Sequence, residues 1–326
     1  MALALTLACG DYDRTAALRD GTVQPEGIAL RFVPMRAGKL FDAQAREAPF
    51  DASEFSLGTL IAMRARGDDR FVAIPVFPSR LFRHGFILVN AHAGVERPQD
   101  LVGRRVGAAG WEQTAALWIR AILQHEYGVA PDQVEWQFGG LNAPSDRVHP
   151  PVDLPPGVRV RMISPGETLS GLLERGELDA LIHAELPDAF KRGSPHVRRL
   201  FPNYREVEAD YYRHTGLFPI MHTVILRREL YRREPWVAAS LYHAFQRAKR
   251  LSDERLSGAG ALYCALPWLT AELEHTRQVM GDDYWPYGFA ANRRVLQAMA
   301  EYSLEQGLIK EPLDMASLFA PETLAM

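Results

Sequence analysis

Two apolar segments that lie far apart in the sequence most constrain how this chain can fold. Residues 71–77 and 86–89 flank a basic turn, and residues 218–226 show the same run of β-branched and aromatic side chains, which is typical of buried strands. A complete series of alternating strand and helix patterns lies between Phe86 and Ile220. We therefore expect an α/β protein whose chain crosses twice between two lobes, at Phe86 and at Ile220.

The same patterns predict the extent of each lobe. Residues 1–85 together with 222–326 form the first lobe, and residues 86–221 form the second, with a ligand cleft between them. We expect two mixed sheets flanked by helices, and a long surface loop or lid in the proline-rich residues 142–157. In open α/β sheets ligands bind beyond the carboxyl ends of the strands, so residues that follow strands are the first candidates for a site.

The composition excludes several classes of partner. The chain has 326 residues, a formal net charge of -3 and a hydrophobic fraction of 47%. No block of like charge extends beyond a few residues, which argues against nucleic acid and against an anionic membrane as partners. No run approaches the roughly 20 apolar residues of a membrane span. A small molecule is the expected partner, and the sequence is compatible with a homo-oligomer.

The first residues resemble the end of a lipoprotein signal. Residues 1–9 read Met-Ala-Leu-Ala-Leu-Thr-Leu-Ala-Cys, but they lack a basic leader and their apolar run is short. We interpret them as the first strand, which ends at Gly10. The two cysteines, Cys9 and Cys264, are too few for a disulfide framework or a thiolate metal site. We therefore expect a cytoplasmic protein.

The turn between the first two apolar segments carries Arg80, Arg83 and His84. Two guanidinium groups can hold a carboxylate in bidentate geometry, and an imidazole can supply a proton near neutral pH. A basic turn that only faces solvent would contain the same residue types. The turn is a candidate site for an organic acid, with a solvated turn as the alternative.

Three further segments follow predicted strands and can hold an anion. Arg14 closes the polar turn after the first strand, and Ser53 and Glu54 lie where the third strand runs into a helix. Trp111 and Thr114 follow a glycine-containing turn, and we expect them to be exposed at the start of a helix. The glycine spacing is not that of a dinucleotide site and no phosphate-loop lysine is present, so we exclude nucleotide chemistry.

Four segments together resemble the 4,5-dihydroxyphthalate decarboxylase family. They are Phe77-Pro-Ser-Arg-Leu-Phe-Arg-His84, Trp111-Glu-Gln-Thr114, Phe218-Pro-Ile-Met-His-Thr223 and Gly281-Asp-Asp-Tyr-Trp-Pro-Tyr-Gly288, and they span most of the chain. The resemblance implies a two-lobed type II periplasmic-binding-protein-like fold. It also implies a carboxy-lyase of phthalate catabolism, which removes carbon dioxide from a dihydroxylated aromatic diacid to give 3,4-dihydroxybenzoate, with no organic cofactor.

The chemistry implied by this resemblance needs an acid, a base and an anchor. An aryl carboxylate leaves readily once its ring carbon is protonated, and a deprotonated hydroxyl para to that carbon donates electron density. His84 and His222 are the candidate acid and base, with Glu54 as the group that orients a histidine. Arg80 is the candidate anchor for the second carboxylate. The other candidate substrate contacts are Arg14, Ser53, Trp111, Thr114 and Tyr287.

These roles have structural alternatives. His222 lies in an apolar strand, where a histidine is commonly a hydrogen-bonded core residue. Glu54, His84 and His222 can instead be ligands of a divalent metal, although no local histidine spacing supports a metal site. Tyr287 lies in a rigid aromatic turn that can serve the structure alone.

Two other functions fit the same fold. A solute-binding module would capture an aromatic carboxylate without changing it, because a fold alone does not give a function. A synthase or ring-modifying enzyme of the menaquinone-precursor or thiamine-precursor type would show its own histidine- or cysteine-rich signatures, which the sequence lacks. We therefore expect the decarboxylase.

Overall fold

The computed structural model describes residues 2–145, 154–258 and 260–326. The strands are β1 (Leu3–Cys9), β2 (Ile28–Pro34), β3 (Ala52–Ser56), β4 (Phe71–Arg80), β5 (Ile87–Asn90), β6 (Arg105–Ala108), β7 (Glu135–Phe138), β8 (Arg159–Met162), β9 (Ala180–Ile182), β10 (Val197–Arg199) and β11 (Ile220–Arg227). The α-helices are α1 (Asp13–Arg19), α2 (Ala37–Glu47), α3 (Leu57–Ala65), α4 (Thr114–Tyr127), α5 (Leu169–Arg175), α6 (Asp188–Lys191), α7 (Tyr204–Thr215), α8 (Arg228–Arg233), α9 (Trp236–Leu256), α10 (Leu269–Met280) and α11 (Phe289–Glu305).

The contacts within the chain define two compact units. Unit 1 comprises Met1–Arg80, Thr215–Gln297 and Leu313–Met326, and unit 2 comprises Leu81–His214 and Ala298–Pro312. The chain passes between them a few residues before each of the two predicted crossings. It also passes between them within α11, which the sequence did not indicate.

Unit 1 contains a five-stranded sheet in the order β2-β1-β3-β11-β4. β1 is parallel to both β2 and β3, whereas β11 is antiparallel to β3 and β4. The carboxyl ends of β1 and β3 therefore meet at one edge of the sheet. The antiparallel pairing places His222 of β11 opposite Ser56, the last residue of β3.

Unit 2 contains a six-stranded sheet in the order β10-β5-β9-β6-β7-β8. β9, β6, β7 and β8 are mutually parallel, and β5 is antiparallel to β9 and β10. Both sheets are mixed, so the predicted α/β architecture with two mixed sheets and flanking helices is confirmed. Of the predicted loop at residues 142–157, residues 146–153 lie outside the described part of the chain.

Each unit has its own apolar core, which supplies most of the free energy that stabilises it. The largest fully buried apolar side chains of unit 1 include Leu5, Phe55, Phe71, Phe77 and Phe245. In unit 2 two apolar clusters form, one around Trp111, Trp136 and Ile119 and the other around Leu88, Leu173 and Leu181. Among the described residues, no helix is both long enough and apolar enough to cross a membrane.

Candidate functional site

Glu54 and His222 form a buried pair in unit 1. The imidazole nitrogen Nδ1 of His222 lies 2.6 Å from the Oε1 atom of Glu54. The Glu54 side chain is fully buried, whereas 17% of the His222 side chain is exposed. Since Glu54 occupies Nδ1, the second ring nitrogen, Nε2, is the atom through which His222 can exchange a proton with a ligand.

Three further groups converge on the Glu54 carboxylate. The backbone N–H of Gly10 donates to Oε2 at 2.8 Å, the Tyr12 hydroxyl donates to Oε1 at 2.8 Å, and the Cys9 thiol lies 3.6 Å from Oε2. Burial alone would raise the pKa of Glu54, but His222 and these hydrogen bonds hold the pKa below its usual range. Glu54 is therefore an anion that fixes the orientation of the His222 ring.

Cys9 and Tyr12 remain protonated beside this anion. Burial and the charge of Glu54 raise the pKa of both the Cys9 thiol and the Tyr12 phenol. Their contact with Glu54 depends on the parallel pairing of β1 with β3, in which Ala8 lies opposite Ser53. Sequence reasoning missed both residues, because only the order of the strands brings the polar turn after β1 to Glu54.

Arg14 lies on the other side of Tyr12. Its guanidinium carbon is 4.2 Å from the centre of the Tyr12 ring and 4.3 Å from that of Trp285. Its Nε donates to the carbonyl oxygen of Pro78 at 2.7 Å, and its Nη1 donates to the Asp13 carboxylate at 3.0 Å. Arg14 therefore belongs to the same cluster of side chains as Glu54 and His222.

Arg80, the predicted carboxylate anchor, is only 4% exposed. Its Nη1 donates to the Asn292 side-chain oxygen at 2.7 Å and to the Pro286 carbonyl at 3.3 Å. Its Nη2 donates to the Phe218 carbonyl at 2.8 Å. These bonds give Arg80 a structural role in unit 1, where it joins β4 to three other parts of the chain, and its role as an anchor stays a prediction.

Ser53 and Tyr287 are also buried in unit 1, at 0% and 4% exposure. Neither side-chain hydroxyl has a hydrogen-bond partner among the described residues. Burial raises the pKa of Tyr287, so its phenol is a neutral donor. A buried hydroxyl without a partner calls for an explanation, and a ligand or a water that reaches it would provide one.

His84, the second predicted acid or base, belongs to unit 2 and is 1% exposed. Its ring is surrounded by the edges of Tyr127, Phe201 and Tyr211, with ring centres 5.2 to 6.2 Å away. Neither ring nitrogen has a hydrogen-bond partner among the described residues, and burial lowers the pKa of His84 to about 4. His84 is thus neutral in this surrounding, and its catalytic role stays a prediction.

Trp111 and Thr114 also belong to unit 2, and the expectation that they are exposed is wrong. Trp111 is 2% exposed and Thr114 is 4% exposed. The Trp111 indole packs against Trp136, lies under the Arg120 guanidinium at 3.8 Å, and donates from Nε1 to the Gln306 carbonyl at 2.7 Å. Burying this large ring in the core outweighs exposing it at a helix start.

The described residues contain no group of three or more histidine, cysteine, aspartate or glutamate side chains placed to hold a metal ion. Of the three metal ligands considered from the sequence, Glu54 and His222 are in contact within unit 1 and His84 lies in unit 2. Glu54 and His222 are a hydrogen-bonded acid–base pair, and the absence of a metal stays a prediction.

Solved structures with a similar fold belong to binding proteins and to an enzyme. The periplasmic aliphatic sulphonate binding protein SsuA from Escherichia coli matches with a TM-score of 0.57 and 12% identity, over 100% of both chains. The desulfurization enzyme DszB matches with a TM-score of 0.54 and 16% identity, over 99% of this chain and 98% of its own. The chain therefore has the predicted periplasmic-binding-protein-like fold, and at these identities the likeness shows the fold alone.

Sequence relatives are more specific, although no family model matches the chain. A 4,5-dihydroxyphthalate decarboxylase from Comamonas testosteroni is 37% identical over 322 residues, which cover 99% of this chain and 98% of that protein. A protein of the same name from Pseudomonas putida is 36% identical over 211 residues, which cover 65% of this chain and 82% of that protein. The chain belongs to the 4,5-dihydroxyphthalate decarboxylase family.

Proposed function

We propose that this protein removes carbon dioxide from 4,5-dihydroxyphthalate and releases 3,4-dihydroxybenzoate. Both sequence relatives carry the name of this carboxy-lyase activity. The observation that carries the proposal is the 2.6 Å contact between His222 and the buried Glu54. A decarboxylation of this kind needs a proton donor held in a fixed orientation, and this pair supplies one.

The reaction begins with a proton on Nε2 of His222. That proton is transferred to the ring carbon that carries the departing carboxylate, and the electrons for the new C–H bond come from the ring. A deprotonated hydroxyl para to this carbon supplies the electron density. The bond to the carboxylate then breaks, its electron pair returns to the ring, and carbon dioxide leaves. A proton from solvent restores His222.

Glu54 assists this transfer without touching the ring. Its carboxylate accepts from Nδ1 of His222, so it fixes the tautomer and can balance the positive charge of the protonated imidazole. The donors from Gly10 and Tyr12 keep the carboxylate ionised and prevent it from rotating. Removing a positioned acid or base usually lowers a rate by roughly 10² to 10⁴.

Solute binding without turnover, the alternative considered from the sequence, is what the name of SsuA describes for that protein. That likeness has only 12% identity, whereas the decarboxylase relative has 37% identity over nearly the whole chain. Family membership therefore favours the enzyme.

We propose that the reaction needs no organic cofactor, since the ring itself accepts and returns the electrons of the broken bond. Metal dependence is decided by elemental analysis of protein purified without added metal, followed by an assay after chelation. Activity that disappears on chelation and returns with a divalent metal would contradict a reaction carried by the protein's residues alone.

We also propose that the protein works in the cytoplasm. Cys9 and Cys264 are both free thiols, and a reducing compartment keeps thiols in that state. Cell fractionation with an antibody against the protein tests this location.

The sequence is compatible with a homo-oligomer. Sedimentation analysis measures how many copies of the chain the assembly contains.

The proposed activity is tested by following carbon dioxide release from a panel of hydroxylated benzoic and phthalic acids. We expect turnover of 4,5-dihydroxyphthalate, and a fall in kcat of about 10² to 10⁴ in both His222→Ala and Glu54→Gln. The exposed His243, on α9 in the same unit, provides the control His243→Ala, which should keep its activity. Binding of the whole panel without carbon dioxide release would instead support a solute-binding protein.

A further inference from the structure

The guanidinium group of Arg14 is held between two aromatic rings. Tyr12 covers one side at 4.2 Å and Trp285 lies 4.3 Å away. Trp285 is itself fixed, because its Nε1 donates to the Phe77 carbonyl at 2.9 Å and its ring meets Phe218 edge to face. A cation stacked in this way loses little freedom when it binds a ligand, because its orientation is already set.

The edge of this guanidinium retains donors for a ligand. Nε is taken by Pro78 and Nη1 reaches Asp13, but Nη2 donates to no residue in the described part of the chain. The Arg14 side chain keeps 17% of its surface exposed. The edge of a guanidinium group can donate to both oxygens of a carboxylate. Because aromatic rings stack on Arg14, a ligand has to approach it along this edge.

Tyr12 connects this cation to the proton donor. One part of its ring packs against Arg14, and its hydroxyl donates to the Glu54 oxygen that also contacts His222. Tyr12 therefore contacts both the cation and the acid–base pair. In a benzene-1,2-dicarboxylate, the carbon that is protonated is bonded directly to the carbon that carries the second carboxylate. An anchor this close to the proton donor suits such an ortho arrangement.

We propose that Arg14 binds the carboxylate that stays on the ring, and that it thereby selects aromatic diacids whose two carboxylates are ortho to one another. This inference rests on the proposed function and deepens it. Arg80, by contrast, is only 4% exposed, and its Nη1 and Nη2 donate to Asn292, Pro286 and Phe218. The anchor thus lies in the polar turn after β1, beside Glu54.

The test measures the binding of unreactive probes by calorimetry. Phthalate has two ortho carboxylates, terephthalate has two para carboxylates, and catechol has hydroxyls only. We expect the unmodified protein to bind phthalate more tightly than terephthalate. Arg14→Ala should weaken phthalate binding by roughly 10- to 100-fold, remove the preference over terephthalate, and leave catechol binding unchanged. Arg14→Lys should fall in between, because an ammonium keeps the charge but lacks the fork.

Arg19 supplies a matched control. It lies on the same helix, α1, and pairs with the exposed Asp11, so Arg19→Ala removes a charge near the turn without removing the stacked cation. It should bind all three probes as the unmodified protein does. Thermal unfolding of each variant separates lost binding from lost folding. An unchanged phthalate affinity in Arg14→Ala, or an equal loss of catechol binding in a folded variant, overturns the inference.

The two proposals can fail separately. Phthalate binding that depends on Arg14, together with no carbon dioxide from 4,5-dihydroxyphthalate, leaves the anchor in place and rejects the decarboxylase. Carbon dioxide release by Arg14→Ala with an undiminished kcat/KM leaves the decarboxylase in place and rejects the anchor.

Discussion

Buried ionisable side chains are stabilised differently at different positions in this molecule. The charge of Glu54 is retained because a histidine and several donors surround it. His84 is buried among aromatic rings, and this burial, with the nearby His214, lowers its pKa and keeps it neutral. Glu208 is an intermediate case, since the Gly85 backbone N–H donates to it while burial raises its pKa to about 7.

Because His84 is buried in its neutral form, we expect the protein to lose stability in mild acid. Its pKa is 6.5 in the unfolded chain and about 4 in the folded protein, so the unfolded state binds more protons between these values. The stability contributed by neutral His84 is complete above pH 6.5 and is lost as the pH falls towards 4. His84→Phe removes the contribution of this residue, which amounts to at most roughly 3 to 4 kcal/mol, whereas His183, whose pKa burial also lowers to about 4, keeps its own. Urea unfolding of both proteins across this pH range measures the difference.

The raised pKa of Glu208 has the opposite effect on how stability depends on pH. Its protonated form is favoured in the folded state, so its contribution is complete below pH 4.5 and is lost as the pH rises through about 7. The His84→Phe protein should keep this second dependence. An unchanged acid dependence in His84→Phe would mean that His84 is not the neutral, buried group described here.

At the scale of elements, the end of β1 determines whether Tyr12 reaches Glu54. A Cβ atom added at Gly10 would lie 2.6 Å from the Tyr12 ring, because the ring folds back over this glycine. We expect Gly10→Ala to displace the Tyr12 hydroxyl from Glu54 and to lower kcat/KM by about tenfold or more, since a buried hydrogen bond to a charge is lost. Carbon dioxide release and thermal unfolding are measured together.

Gly38 on α2 is the control for this substitution. Nothing lies within 4 Å of a Cβ added there, so Gly38→Ala should leave activity unchanged and stabilise the helix by roughly 0.5 to 1 kcal/mol. Full activity in Gly10→Ala would show that the contact between Tyr12 and Glu54 is dispensable.

Strands and helices that end at a glycine can be located from the sequence. β1 ends at Cys9, directly before Gly10, as predicted. A glycine also marks the ends of α4 and α5, at Gly128 and Gly176, whose φ values of 70° and 76° favour this residue. Residues 100–108 have the pattern of a strand, but β6 begins only at Arg105, because Pro98–Leu101 is a 3-10 helix and Asp100 accepts from the backbone of Glu96. Side-chain capping of this kind competes with extended structure, and strand periodicity does not reveal it.

The sequence indicated which residues form the site better than it indicated how they are arranged. Glu54 and Arg14 were proposed from strand ends and His222 from the family resemblance, and the structure brings all three into one cluster in unit 1. Their pairing follows from the insertion of β11 beside β3, which no local pattern indicates. Tyr12 and Cys9 were missed for the same reason.

At the scale of the whole molecule, α11 and the residues after it serve both units. Residues 298–312 pack in unit 2, where Gln306 is 1% exposed. Its side-chain oxygen accepts from Arg120 Nε at 2.6 Å and its amide donates to the Leu117 carbonyl at 3.0 Å. Burial lowers the pKa of Arg120 to about 9, and no carboxylate in the described ranges forms an ion pair with it. Gln306 therefore solvates a buried cation.

Replacing Gln306 should destabilise the protein to an extent that depends on how well the new side chain stabilises the charge of Arg120. Gln306→Ala leaves Arg120 Nε without its acceptor, while Nη2 still donates to the Trp111 carbonyl at 2.6 Å. We expect a loss of roughly 2 to 5 kcal/mol in the free energy of unfolding. Gln306→Glu supplies a counter-charge in nearly the same volume and should lose less. The exposed Gln278 on α10 gives the control Gln278→Ala, with an effect within about 0.5 kcal/mol. Equal losses in both Gln306 variants would contradict an electrostatic role.

The position of β11 between β3 and β4 has a consequence during synthesis. When only the first 80 residues have been synthesised, β3 is paired on one side with β1, and its other side and β4 have no partner strand until residues 220–227 are available. Unit 2 is likewise incomplete until residues 298–312 have been synthesised. Each unit is thus completed only after residues far along the chain have been synthesised, and the unpaired edges of β3 and β4 are where a chaperone would be needed to prevent aggregation.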